Sequence, residues 1–267
     1  MLNIEAMNNL SAVWVFTVLL SIGCRPPEAP EGYEDLVGFV FEHAGDESED
    51  ELIAGLDNLS AWLDGENLET AEGGVTIKTL PQSAVENLDE HAHAVEGLAG
   101  VSLANDSAYK SDVLMEALTQ YSFAEMMPDV YITYEREFEE GRGCIVSREC
   151  LWAKGSVFSV ADWGALGEVE ADRRIEFRWV ETEQGWVFLQ RWWLQEPSTG
   201  TRLNLVISDQ YYIGINYPLS DGTRRVHASW INMRMSTGDA STGAANQLID
   251  NWKKDAEDLD VWIDENL

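Results

Sequence analysis

Few residues in the chain have the type and spacing to do chemistry. There are four histidines, and two of them stand two apart in Glu90-His91-Ala92-His93. On one face of a strand, two such imidazoles could share a metal ion. The surrounding pattern is helical, and on a helix residues two apart point about 200° from each other. The pair is therefore read as two solvated side chains, and no metal is expected. Asp46, Ser48 and Asp50 put oxygen donors at alternate positions, as the start of a calcium loop does. Such a loop needs Gly at its sixth position and a bidentate Glu at its twelfth. Glu51 and Asp57 stand there, the latter inside an apolar helical stripe, so the calcium reading fails. The chain has no G-x-S-x-G elbow, no phosphate-cradling glycine loop and no H-E-x-x-H pair. No cofactor is expected. No nucleophile can be paired with a base, which makes an enzyme the less favoured reading.

The three cysteines are Cys24, Cys144 and Cys150. The last two are separated by five residues, which is neither a redox motif nor a zinc knuckle. In one extended strand they would lie roughly 20 Å apart, whereas a disulfide needs about 4.4–6.8 Å between Cα atoms. A bond between them therefore requires residues 143–151 to fold back as a loop. A structural disulfide is expected, with two free buried thiols as the alternative.

Aromatic residues concentrate in segments that alternate with period two. Tyr134, Phe177, Trp179 and Trp186 belong to this set, as do Trp192, Trp193, Tyr211 and Trp230. Arg178 and Arg191 share strands with them. Ordinary core packing needs large side chains of this kind. An apolar cavity would use some of them as walls, with a buried Arg to orient a carboxylate or phosphate. Both readings stay open. The candidate ligand-binding residues are Tyr134, Phe177, Arg178, Trp179, Arg191 and Trp192.

The elements that would position these residues follow from periodicity. Residues 33–64 read as two helices, the second with Leu52, Leu56, Leu59 and Leu63 on one face and a Ser48/Glu51 capping box before it. A short extended piece covers 75–80, and a further helix is expected over 83–98. A short strand at 101–104 and helices over 111–127, stopped by Pro128, come next. From residue 130 the period becomes two, in segments at 130–138, 157–163, 175–179, 186–194, 203–207 with 211–217, and 224–235. Consecutive strands with short links form an antiparallel meander of about six. Leu248, Ile249, Trp252, Ala256, Leu259, Trp262 and Ile263 then mark one long helix whose stripe must lie on the sheet. The fold class is α+β: N-terminal helices, then an antiparallel sheet of six to seven strands packed on a long C-terminal helix. The expected organisation is an acidic helical region at 33–100, a cover or small subdomain, and a sheet-plus-helix body at 101–267.

From about residue 100 onward this element order resembles the helix-grip fold of the START and polyketide-cyclase superfamily. The resemblance implies a sheet wrapped around its last helix with a cavity between them, suited to a small hydrophobic ligand or lipid. It also implies a cyclase-type enzyme as a third reading, behind ligand binding and a structural protein that grips an envelope partner.

Residues 10–22, LSAVWVFTVLLSI, are uncharged and too short to span a bilayer, but suit the apolar core of a signal peptide. They run into Ser21-Ile22-Gly23-Cys24, which resembles the lipobox of bacterial lipoproteins. That resemblance implies removal of residues 1–23, lipid on Cys24, and a Pro-rich tether at 24–32. The sequence departs from the pattern in having Ser21 where Leu is usual and Glu5 in a leader without Lys or Arg. Arg25 rather than Asp after the cysteine implies the outer membrane, facing the periplasm or the cell surface. The lipobox, acidic body and Trp-rich late strands are also similar to those of myxobacterial lipoproteins, a likeness that implies no particular activity. The partners expected are thus the membrane, through the anchor, and a hydrophobic small molecule or an envelope protein. With 48 acidic against 17 basic residues, the net charge of −31 over 267 residues excludes nucleic acid as a partner. It also excludes attachment to anionic lipid through a basic face. At 45% apolar residues with 11 Trp, the chain has the material for a packed core.

Overall fold

The structure, a computed structural model, describes residues 28–64, 67–88 and 93–267. The apolar run at 10–22, Cys24 and His91 lie outside these. Two helices come first, α1 (Tyr33–His43) and α2 (Asp50–Leu63). Each buries an apolar stripe, Leu36, Val37, Val40 and Phe41 on α1 and Leu52, Leu56, Leu59 and Leu63 on α2. Gly55 lets them approach, since a Cβ there would sit 2.8 Å from the Phe39 ring. A short α3 (Asn67–Gly73) leads into strand β1 (Val75–Ile77).

The sheet is built from β2 (Ala99–Ser107), β3 (Tyr131–Phe138), β4 (Trp152–Asp162), β5 (Glu168–Thr182), β6 (Gly185–Leu194), β8 (Val206–Leu219) and β9 (Gly222–Met235), with short β7 (Ser198–Gly200) and β10 (Gly238–Asp239). Its order is β1-β2-β9-β8-β6-β5-β4-β3, antiparallel throughout. The expected six-strand meander is β3 to β9, and β2 docks beyond its last strand. Helices α4 (Ser111–Leu118) and α5 (Arg142–Val146) interrupt the early part, and α6 (Ser241–Asn266) closes the chain. The α+β class and the sheet packed on a long terminal helix stand as the element order implied.

The sheet is covered on both faces. Under α1 and α2 lie Val180, Leu189, Ile213, Val226 and Trp230. Under α4 and α6 lie Ile175, Phe177, Trp179, Phe188, Ile231 and Met233. The central strands are therefore apolar at successive positions, as strands buried on both faces must be. The N-terminal helices act as a cover on the face opposite α6. The start of α6 is pinned by Asp239, which accepts from the Ser241 backbone N–H at 2.9 Å and from its hydroxyl at 2.7 Å. Those bonds hold the Asp239 carboxyl below its usual range.

Four expectations change. The helix over 83–98 does not form among the described residues: Gln82–Ala84 makes one 3-10 turn after Pro81, and Val85 and Leu88 pack under α1 as loop residues. Tertiary burial has overridden local periodicity there. The helix at 111–127 ends at Leu118, and residues beyond it turn back as Phe123, Met126 and Met127 pack inward. The capping box is not made; Ser48 Oγ accepts from the Asp50 N–H at 3.4 Å, and no side chain caps α2. Residues 203–205 precede β8 as a turn, with Leu203 and Asn204 at φ 59° and 49°. Leu203 is exposed, so its alternation with Leu205 is not that of a strand.

The disulfide joins Cys144 to Cys150 with Cα atoms 5.3 Å apart. The fold-back it needs is provided by α5 and by Arg148 in the left-handed region at φ 58°.

Candidate functional site

Between the sheet and α6 lies a cavity of about 110 Å³. Its apolar walls include Phe123 and Met127 from the segment after α4, Trp192 from β6, Tyr212 from β8, and Trp252 and Leu259 from α6. Its polar groups are Gln190, Arg225, His227 and Asp255. Strand geometry explains the grouping. Residues 225, 227, 229, 231 and 233 of β9 face α6, while Val226, Ala228 and Trp230 face α1. Tyr212 is stacked on Trp192 at 5.2 Å, and His227 on Trp252 at 5.6 Å, so the polar end is framed by rings.

Burial sets the charge state of this end. His227 is held well below its ordinary pKa, first by desolvation and then by the charge of Arg225. It is neutral, with Nδ1 2.7 Å from the Tyr212 hydroxyl. Burial raises the Tyr212 phenol, which keeps its proton. Asp255, at position 252 plus three on the stripe of α6, is raised to about 6 by desolvation and then by Asp258. Arg225 is lowered by desolvation. Its Nε and Nη1, and Nε2 of His227, have no hydrogen-bond partner. The described lining has no Ser, Thr, Cys or Lys.

The six residues expected from sequence do not converge. Trp192 lines the cavity. Tyr134 is one ring behind it, stacked on Phe123 at 4.8 Å and bonded through its hydroxyl to Arg136. Phe177 and Trp179 are core on the same face, with Trp179 Nε1 donating to the Ile145 carbonyl. Arg178 and Arg191 alternate with these onto the opposite face and close the end of α1. Arg178 donates to the carbonyls of Ala44 and Asp46 and to Glu49, and Arg191 to the carbonyl of Phe41 and to Glu176. Neither reaches the cavity. The polar lining of the cavity comes instead from Arg225, His227, Tyr212 and Asp255. Their signal was present: Arg225 and His227 interrupt the apolar alternation of β9, and Asp255 falls on the buried stripe.

A wider groove of about 400 Å³ beside β7 is lined by Glu168, Glu170, Asp172 and Glu196. Like-charged and lying at the surface, it offers no apolar enclosure. His93 packs edge-on to Tyr211.

No family model matches the chain, and no curated protein matches it. Solved structures with a similar arrangement include the STAR-related lipid transfer protein of Xanthomonas axonopodis (15% identity, TM-score 0.40, 64% of this chain and 96% of that one). The ZhuI aromatase/cyclase of Streptomyces sp. R1128 is similar at 14% identity and TM-score 0.39, over 62% of this chain and 91% of that one. Human STARD10 is similar at 10% identity and TM-score 0.44, over 83% of this chain and 84% of that one. At such identities and scores no ligand passes from those proteins to this chain.

Proposed function

We propose that the chain is a lipid-anchored cell-envelope protein that holds a small hydrophobic ligand between its sheet and its terminal helix. The ligand reading is supported by one observation above others: the half-open cavity under α6, in which the rings of Trp192, Tyr212 and Trp252 surround a polar end. Ligand pockets typically measure about 300–1,000 Å³, while an apolar cavity of about 150 Å³ takes up benzene. At about 110 Å³ the cavity suits a single ring or a short chain rather than a whole diacyl lipid. The anchor reading is supported by residues 10–24, the apolar run ending at Cys24.

Mass spectrometry of the full chain recovered from membranes tests both parts. A mature protein that begins at Cys24, carries lipid mass and releases a small molecule in about equal amount is the expected result. Retention of residues 1–23 without lipid mass overturns the anchor. A protein that releases no small molecule and takes up neither benzene nor benzyl alcohol overturns the ligand.

A further inference from the structure

Four arginines are buried among the described residues: Arg136, Arg178, Arg191 and Arg225. The first three are better provided, although Nε of Arg136 also lacks a partner. Arg136 donates to the carbonyls of Leu118 and Gln120 and to the Tyr134 hydroxyl. Arg178 and Arg191 hold the end of α1 and pair with Glu49 and Glu176. Arg225 is 4% exposed, yet its Nε and Nη1 have no partner. No described carboxylate forms an ion pair with it, in a chain that carries 48 of them. A guanidinium is a fork built for two parallel bonds to one carboxylate, and it cannot shed its charge to escape burial. Beside it, His227 presents Nε2, also unpartnered. In the tautomer that accepts the Tyr212 phenol at Nδ1, Nε2 carries the hydrogen, a second buried donor on a residue that lines the cavity.

The geometry points to Arg225 as the receptor for the carboxylate of a small monoanionic ligand, with His227 Nε2 as a second donor and the apolar part of the ligand among Phe123, Trp192 and Trp252. This deepens the reading of the cavity as a ligand site and rests on it. A monoanion is specified because one fixed positive charge is available. His227 is neutral, and Asp255 and Asp260 of α6 lie on the same side of the sheet. A phosphate dianion would meet too little positive charge there. The rival is internal: Asn105 Oδ1, on the residue paired with Arg225 in the ladder, and Asp260 Oδ1 are themselves unpartnered and could be drawn to the guanidinium.

Isothermal titration of the full chain with benzoate, benzyl alcohol and phenyl phosphate separates these cases. The first two share a ring and differ in charge. Benzoate is expected to bind at least about tenfold more tightly than either of the others, since about 1.4 kcal/mol corresponds to tenfold. Arg225→Met should erase that preference, and Arg225→Lys should keep part of it. The melting temperature of Arg225→Met without ligand should hold or rise, because the desolvation of the buried charge outweighs its attraction to Asp255 and Asp260. Benzyl alcohol binding as well as benzoate to the native chain overturns the assignment of Arg225 but leaves the cavity reading standing. Binding of none of the three overturns both. Tighter binding of phenyl phosphate, or a lower melting temperature in Arg225→Met, overturns the carboxylate receptor in favour of a dianion site or of an internal partner.

Discussion

The hydroxyl of Tyr212 on β8 meets Nδ1 of His227 on β9 at 2.7 Å, and the glycine paired with His227 in the ladder, Gly214, makes the contact possible. A Cβ at Gly214 would lie 2.8 Å from that hydroxyl. The pair fixes the imidazole while Trp252 stacks on its ring, so the neutral histidine is held against α6 with its other nitrogen buried and unpartnered.

Trp252 ties α6 to this pair. It is 8% exposed, less deeply buried than Trp179 or Trp230, because one side faces the cavity. Trp252→Ala is expected to cost about 3 kcal/mol, at the low end for a large core truncation. In a chain of this size that is a fall of about 6–12 °C in melting temperature. A shift below about 2 °C would mean that α6 does not depend on its stripe for docking.

Asp255 makes stability depend on pH in a definite direction. Its folded-state pKa of about 6 exceeds the ordinary 3.8, so the folded protein binds more protons than the unfolded chain between those values. Stability from this group is therefore greatest in acid and falls as pH rises through about 6. Asp258, Lys254 and Arg225 are the charges that act on it. Asp255→Asn should stabilise the protein at pH 7.5 by at most about 3 kcal/mol. It should change little near pH 4. Urea unfolding at the two pH values checks this, and an equal effect at both would remove Asp255 as the source.

Arg191 and Glu176 form a buried pair at 2.5 Å, with Lys154 3.5 Å from the other carboxylate oxygen. Arg191→Met should cost up to about 3–5 kcal/mol by leaving Glu176 only its longer contact with Lys154 and freeing the Phe41 carbonyl. Changing Glu176→Met as well should recover most of the loss. If urea unfolding shows the double variant no better than the single, the cost lies in the lost cap on α1 rather than in the stranded charge.

The Cys144–Cys150 bond closes a small ring around α5. It constrains the unfolded chain by roughly 2–3 kcal/mol at most on the loop-entropy estimate. Reduction should speed amide exchange in residues 143–151 and leave β5, β6 and β8 protected. Loss of protection throughout the sheet would make the bond essential to the body.

The elements were legible where one period ran long enough to dominate, as in α6 and the strands of the meander. They were misread where burial came from distant partners, as with Val85 and Leu88 in the loop under α1. The site was harder to read. Arg178 and Arg191 drew notice because they sit among aromatics, yet strand alternation turns them to the other face from Phe177 and Trp192. Which face holds the cavity depends on α1 and α2 covering one side and α6 the other, a relation between elements about 100 residues apart or more that no local pattern carries. Once the faces are known, Arg225 and His227 stand out as polar positions on the α6 side of a strand buried on both sides.

The most direct test of the cavity is a crystal of the full chain soaked in 4-bromobenzoate and measured at the bromine edge. The expected result is one ordered bromine enclosed by Phe123, Trp192 and Trp252, with the carboxylate on Arg225. Bromine confined to the acidic groove beside β7 or to the outer surface, with nothing ordered beneath α6, would contradict ligand binding at this site.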